Sequence, residues 1–158
     1  MSTDMGGIAV AGSVLVDKLH DISAYPQAGE LTKILRTRRS VGGCVPNVAI
    51  DLKTLSSETD VSALGRVGED EEGRFVLDAL RQRGVNVDGM KHYAERTSFT
   101  EVMSIPGGER TFFTYAGANA RFGFEDIDFE ALSADMLHLG YFLLLDKVDG
   151  GDGLKILK

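Results

Sequence analysis

The sequence predicts an α/β fold in which helices flank a parallel sheet, and three observations support this. Strand-like and helix-like segments alternate along the chain. Residues 7–16 are almost continuously apolar, as in a strand buried on both faces of a parallel sheet. Two further β-rich insertions, at about residues 18–41 and 95–116, interrupt the alternation. We expect these insertions to pair as a small separate sheet.

Composition limits the classes of protein to which the chain can belong. Its 158 residues, 43% of them hydrophobic, suffice for one domain with a core but not for two. The formal net charge of −7 predicts neither nucleic acid nor an anionic membrane as a partner. Apolar runs fall short of the roughly 20 residues of a membrane helix. Cys44 is the only cysteine, which excludes an internal disulfide and fits the reducing cytoplasm.

The first half of the chain contains the start of the main sheet and the first helix. Asp17 ends the apolar strand with a charge. Residues 31–41 mix apolar and basic side chains, which predicts a half-exposed strand that leaves the main sheet. Pro46 suits the first turn of the helix that follows. The apolar face predicted for this helix consists of Val48, Leu52 and Leu55.

Residues 61–67 predict a second buried strand, and the segment after Gly68 predicts a second helix. Acidic residues open this helix and basic residues close it, as the helix dipole favours. Its predicted buried face consists of Phe75, Val76, Ala79 and Leu80. Residues 97–105 and 110–115 predict a hairpin around the turn at 106–109.

The last part of the chain predicts a short helix at 124–134, a buried strand at 136–145 and a loop at 146–153. Residues 154–158 have the pattern of a helix cut off after one turn. Because a single turn is unstable in water, we expect a chain that starts at Met1 and stops inside a larger fold.

The connection at residues 41–47 is the first candidate site. Gly42 and Gly43 allow unusual backbone conformations and leave room for a ligand, and Asn47 can cap the helix or reach outward. The free N–H groups of the first helical turn favour a polar or anionic small molecule. The alternative is an ordinary connection between a strand and a helix.

Asp17 is the second candidate, because ligands of open parallel sheets bind beyond the carboxyl ends of the strands. A solvated loop carboxylate is the alternative. The sequence lacks both the glycine pattern of dinucleotide sites and that of phosphate-binding loops. The three histidines lack the spacing of metal ligands, so no metal site is predicted. Cys44, just before a helix, is a rival nucleophile, although a buried and inert cysteine explains it better.

Taken together, several short motifs resemble the ribokinase-like (PfkB) carbohydrate kinases in order and spacing. The motifs are Asp17 five residues after Gly12-Ser13, Gly42-Gly43 with Asn47, Gly65-Arg66-Val67-Gly68-Glu69-Asp70 followed by Gly73, Gly84-Val85, Gly107-Gly108-Glu109-Arg110-Thr111, and Gly117-Ala118-Asn119. The resemblance spans nearly the whole chain but only about the first half of a family member. Residues 1–158 would therefore be the N-terminal part of a kinase domain.

The resemblance implies ATP-dependent phosphorylation of a sugar or nucleoside hydroxyl, with ATP and Mg²⁺ as cofactors. It implies that Asp17, Gly42, Gly43 and Asn47 bind the substrate. Further candidates for substrate contact are Tyr115, Asn119 and Tyr141. The two insertions would form a lid over the sugar and a homodimer interface.

The sequence departs from the family pattern in three places. Cys44, Val45 and Pro46 stand where small residues are usual, and Gly140 and Tyr141 stand where ribokinase has a substrate-binding glutamate. The Gly-Ala-Gly-Asp turn that supplies the catalytic base is absent from these 158 residues, so the family's catalytic Asp would lie beyond Lys158. We therefore expect this chain alone to be inactive. The alternative is a non-catalytic sugar-binding or regulatory module with the same fold.

Overall fold

The structure is a computed structural model that describes residues 6–142 and 144–158. Eight strands form two sheets. The main sheet has the spatial order β5-β4-β1-β8 and all its strand pairs are parallel, whereas the second sheet has the order β3-β2-β6-β7. The strands are β1 Ile8–Gly12, β2 Leu15–Ile22, β3 Ile34–Gly42, β4 Val61–Gly68, β5 Met90–Tyr93, β6 Phe99–Ser104, β7 Arg110–Tyr115 and β8 Met136–Gly140.

The second sheet, which we call the lid, confirms that the two insertions pair with each other. Strand β2 is antiparallel to β3 and parallel to β6, and β6 forms an antiparallel hairpin with β7. Strand β3 is exposed over most of its length, as its basic residues predict.

The chain passes from the main sheet to the lid at Ser13 and Val14, so the prediction of one strand over residues 7–16 is wrong. Gly12 permits this turn: its φ is +128°, and a Cβ there would lie 1.7 Å from the carbonyl oxygen of Gly140. Asp17 consequently does not end a strand of the main sheet but is the third residue of β2. The apolar run continues across the break, because the first residues of β2 are also buried.

Two helices cover one face of the main sheet: α1, Cys44–Leu55, and α2, Glu71–Gln82. Pro46 lies in the first turn of α1, as predicted. The predicted apolar face of α1 is wrong at its end, since Leu55 is 84% exposed. The fully buried residues of the helix lie nearer its start; they are Cys44, Val45, Pro46 and Ala49.

Helix α2 begins with the predicted acidic turn, and Asp70 caps it. Asp70 accepts hydrogen bonds from Gly73 N at 2.9 Å and from Thr97 N at 2.8 Å, so it also ties the helix to the start of the lid hairpin. Burial by itself would raise the pKa of Asp70, but hydrogen bonds from the Thr97 hydroxyl and from the N–H groups of Thr97 and Gly73 outweigh it, so the pKa is lowered. Val76 and Leu80 are buried as predicted, while Phe75 and Ala79 are half-buried.

The last third differs most from the predictions. The helix predicted at 124–134 is reduced to a 3₁₀ turn, Phe124–Asp126, and the strand predicted at 136–145 ends at Gly140. That predicted strand includes Leu143, which lies outside the described residues. The predicted loop at 146–153 contains a π-helical turn, Val148–Asp152, which leads into the short helix α3, Gly153–Ile156.

Strand β5 was not predicted, because Met90, Lys91, His92 and Tyr93 lack both alternation and β-branched residues. Each face of the main sheet has its own core. Val10 and Ala63 face the helices, whereas Ala9 and Leu64 face the irregular segments that follow the lid. Among the described residues, no helix is long and apolar enough to cross a membrane.

Candidate functional site

Three segments of the chain meet just after the carboxyl end of β1: the connection that contains Ser13, the start of α1 and the end of β8. Ser13 forms hydrogen bonds with the other two segments. Its hydroxyl oxygen accepts hydrogen bonds from Cys44 N at 3.0 Å and from Tyr141 N at 3.2 Å. Its backbone N–H donates to the oxygen of Gly140 at 2.9 Å, and its carbonyl accepts from Val45 N at 3.0 Å. Ser13 thus fixes the start of α1 and the end of β8 against each other. No local pattern in the sequence predicts this role of Ser13, because its partners lie far away in the chain.

Glycine is required at both positions of the turn, because other parts of the chain approach Gly42 and Gly43 closely. Gly43 caps α1 with a φ of +88°, and a Cβ on it would lie 2.5 Å from the carbonyl oxygen of Ser13. A Cβ on Gly42 would lie 2.3 Å from a carboxylate oxygen of Asp17. The structure therefore brings Asp17 directly against the turn.

Asp17 is half-buried, and burial raises its pKa above the usual aspartate value. Within residues 6–142 and 144–158, no side chain or N–H group hydrogen-bonds to its carboxylate, and no cation pairs with it. A partly desolvated carboxylate in this state is stabilised by hydroxyl donors from outside the protein.

Strand register adds three hydroxyl groups to the lid face on which Asp17 lies. Ser40 pairs with Asp17 across β3 and β2, Asp17 pairs with Thr100, and Thr100 pairs with Thr114. Directly paired residues share a face of a sheet, and the hydroxyls of Thr100 and Thr114 lie 3.2 Å apart. The sequence did not predict this row of Ser40, Asp17, Thr100 and Thr114, because its members come from four strands.

Asn47 is the fourth residue of α1 and is exposed, whereas the cap position belongs to Gly43. It therefore does not cap the helix. The backbone nitrogen of Asn47 lies 3.3 Å from the carbonyl oxygen of Gly43. Asn47 therefore lies about one helical turn beyond the two glycines of the site.

Of the three further candidates, Tyr141 lies beside Ser13. Its backbone N–H binds Ser13, and its side chain is 46% exposed. Asn119 is buried and accepts a hydrogen bond from Val14 N at 3.0 Å, so it supports the crossing between the sheets. Tyr115 pairs with Phe99 on the lid face opposite Asp17, with ring centroids 5.2 Å apart. The structure therefore separates Tyr115 from the other candidates.

The environment of Cys44 argues against a cysteine nucleophile. The side chain is fully buried, and this burial raises the pKa of the thiol to about 11. Reactive cysteines have lowered pKa values, because the thiolate is the nucleophile. The inert alternative explains Cys44 better.

Other potential sites are remote or poor in ligands. In the part of the chain that the structure describes, no group of three or more His, Cys, Asp or Glu side chains could hold a metal ion. A cavity of about 510 Å³ lies beside Asp60, Asn86 and Lys91 and includes none of the predicted site residues. Because Asp60 precedes β4, this cavity lies at the opposite end of the main sheet from Asp17.

Comparisons with known proteins agree with the architecture. The family model of the pfkB family carbohydrate kinases matches residues 5–157. The chain is 31% identical over 131 residues to the ATP-dependent ribose-1-phosphate kinase of Halopiger xanaduensis, and this match covers 82% of the chain and 44% of the relative.

Solved structures show the same fold. The ribokinase of Thermotoga maritima superposes with a TM-score of 0.77 at 22% identity, covering 84% of this chain and 44% of that one. The ribokinase of Arabidopsis thaliana, complexed with ribose and ATP, superposes with a TM-score of 0.64 at 26% identity, covering 73% and 37%. The chain thus spans less than half the length of these relatives. Because the family match extends over almost every residue, the chain belongs to the pfkB family of carbohydrate kinases.

Proposed function

We propose that this chain forms the substrate-binding half of an ATP-dependent kinase that phosphorylates a hydroxyl group of a sugar or nucleoside. In this proposal residues 1–158 are the N-terminal part of the kinase domain, with lid segments at about 18–41 and 95–116. The observation that carries it is the carboxylate of Asp17, which is half-buried against Gly42 and has no donor among the described residues.

The proposed substrate lies between the lid and the turn before α1. Its hydroxyls donate to the carboxylate of Asp17, and charge-assisted hydrogen bonds of this kind are stronger than neutral ones. Gly42 and Gly43 let the substrate approach the backbone closely, while Asn47 and Tyr141 supply polar contacts at the rim. The hydroxyls in the row of Asp17 extend the same surface.

Phosphoryl transfer requires groups that we assign to chain beyond Lys158. In line with the family resemblance, we propose that the catalytic Asp lies there, together with most of the nucleotide site. The relative complexed with ribose and ATP supports ATP as the phosphoryl donor. We propose Mg²⁺ as its partner, although the described residues do not fit a metal site. Mg²⁺ would neutralise the charge that develops on the transferred group.

The proposed location is the cytoplasm, where the buried thiol of Cys44 stays reduced. A second candidate is a non-catalytic sugar-binding or regulatory module with the same fold. Activity of the full-length protein separates the two functions.

The test uses the full-length protein that contains this sequence. We expect sugar-dependent release of ADP and, by titration calorimetry, an Asp17→Asn variant that binds sugar about tenfold to a hundredfold more weakly, with unchanged ATP binding. Asp51→Asn, at an exposed carboxylate on α1, is the matched control and should bind as the wild type does. Unchanged sugar affinity of Asp17→Asn would refute the site. Sugar binding without release of ADP would favour the non-catalytic module.

A further inference from the structure

The lid face that carries Asp17 also carries three arginines. Arg38 lies across from Leu19, two residues beyond Asp17 on β2. Arg36 lies across from Asp21, which pairs with Ser104, and Ser104 pairs with Arg110. Side chains two residues apart on a strand share a face, so these groups share the face of Asp17. A hydrogen bond of 3.1 Å from Ser104 to Asp21 and one of 3.2 Å from Arg38 to Asp21 agree with this assignment.

The positive charge of this cluster is largely uncompensated. Asp21 is the single carboxylate that pairs with it in the described part of the chain, through Arg38. Arg36 and Arg110 are exposed and form neither an ion pair nor a side-chain hydrogen bond with any described residue. Three guanidinium groups and one carboxylate leave a local charge of about +2 on a chain whose net charge is −7.

Basic side chains on the opposite face of the lid form ion pairs with helix α2. Arg39 pairs with Glu71 at 2.6 Å and lies 4.4 Å from the ring centroid of Phe75, while Lys18 pairs with Glu72 at 2.8 Å. These side chains fasten the lid to α2. On the face of Asp17, by contrast, Arg38 pairs within the lid, with Asp21, and Arg36 and Arg110 pair with no described residue.

Distances along the strands place the cluster within reach of a ligand held by Asp17. At about 3.3 Å per residue, Leu19 and its partner Arg38 lie about 7 Å beyond Asp17, and Asp21 with Arg36 lies about 13 Å beyond it. Long arginine side chains span much of this interval. A ligand whose hydroxyls bind Asp17 therefore presents its far end to the guanidinium groups.

We propose that the substrate is a sugar phosphate, with its hydroxyls on Asp17 and its phosphate monoester on Arg36, Arg38 and Arg110. This inference rests on the proposed function, because it takes Asp17 as the sugar site. A phosphate monoester carries a charge of about −1.5 to −2 at neutral pH, which matches the local charge of about +2. Guanidinium groups bind phosphate oxygens in pairs of hydrogen bonds. The phosphate held here is a recognition group and is not the one transferred.

The test compares each sugar with its phosphate ester in titrations of the full-length protein. The probes are ribose, ribose 1-phosphate, ribose 5-phosphate, fructose, fructose 1-phosphate, fructose 6-phosphate and gluconate. We expect at least one ester to bind about tenfold or more tightly than its parent sugar. The double variant Arg36→Gln/Arg110→Gln should abolish this gain and leave the affinity for the parent sugar unchanged. Arg39→Gln, on the same strand but the opposite face, should keep the gain.

Each outcome bears on one proposal or on both. Esters that bind no more tightly than their parent sugars, or a gain that survives the double variant, overturn the inference while the sugar site at Asp17 stands. Gluconate serves as an anion without a phosphate group. If gluconate binds as tightly as the esters do, the inference is also overturned, because the three arginines would then recognise any anion. If neither sugars nor esters bind, both the proposed function and this inference are wrong.

Discussion

Gly43 holds the start of α1 in a conformation that a side chain would disturb. Its φ is +88°, and its Cα faces the carbonyl oxygen of Ser13, which also receives the N–H of Val45. A side chain here therefore meets two penalties: the left-handed conformation and a contact with fixed backbone.

We predict that Gly43→Ala destabilises the full-length protein by more than Gly107→Ala. Gly107 has a φ of +75° but nothing within 4 Å of the position of a Cβ, so it pays only the conformational penalty of about 1–2 kcal/mol. Urea denaturation of both variants measures the difference. Equal losses would show that the approach to Ser13 is not a constraint.

The raised pKa of Asp17 makes opposite predictions for binding and for stability. In the proposed site, sugar binding requires the ionised carboxylate of Asp17, so the affinity should fall as the pH drops through a pKa above the usual aspartate value. The pH dependence of stability has the opposite sign. Because the folded state binds this proton more tightly than the unfolded state, ionisation of Asp17 lowers the free energy of unfolding as the pH rises through the same range.

We therefore expect Asp17→Asn to lose sugar affinity at neutral pH while its melting temperature stays equal or rises. Calorimetric titrations and thermal melts between pH 4 and about pH 7 test both effects together. A variant that melts well below the wild type would indicate that Asp17 stabilises the fold, contrary to its place in the binding site.

At the scale of elements, the lid exposes more apolar surface than its four strands can cover. Phe112, Phe113 and Tyr115 are 60%, 58% and 45% exposed, and Ile34 and Leu35 are 55% and 59% exposed. Large apolar side chains exposed in this number on one sheet are typical of interaction sites. We propose that the lid is also the interface of a homodimer, as the family resemblance implies.

The lid interface predicts that Phe112→Ser/Phe113→Ser shifts the full-length protein from dimer to monomer in sedimentation at micromolar concentration. One of these rings lies on each face of β7, so the pair tests both faces. Phe129→Ser, at a ring outside the lid that is 41% exposed, is the control and should leave the assembly unchanged. A wild-type protein that sediments as a strict monomer contradicts the proposal.

At the scale of the molecule, the main sheet has an open side. Strand β8 pairs with β1 alone among the described strands, and Met136 in it is 59% exposed. The segment after β8 exposes Tyr141, Phe142 and Leu144, and Leu157 near the end of the chain is 71% exposed. Parallel sheets are normally covered on both faces, and an open edge favours aggregation.

We predict that residues 1–158 expressed alone melt without cooperativity and release no ADP in the presence of ATP and sugars. Leaving several apolar side chains uncovered forfeits several kcal/mol at roughly 25 cal/mol per Å², which is comparable with the stability of a domain. Circular dichroism and a coupled ATPase assay measure the two effects. A sharp two-state melt would contradict the folding prediction, and sugar-dependent ADP release would contradict the inactivity.

Local patterns were enough to predict much of this protein. The alternation of strands and helices, the acidic start of α2 and the glycine turn before α1 all depend on residues close together in the chain, where local propensity and the helix dipole act. Strand β5 and the irregular segment at 124–134 were missed because tertiary contacts, rather than local preference, determine them.

The composition of the site was decided only by the tertiary structure. Sequence spacing singled out Asp17, Gly42 and Gly43, but the register of the lid strands, not their spacing, places Ser40, Thr100 and Thr114 beside Asp17 and Tyr115 on the other face. The physical reason is that successive side chains of a strand point to opposite faces. A shift of one residue in pairing exchanges the two faces, and hydrogen bonds between strands distant in the chain select the register.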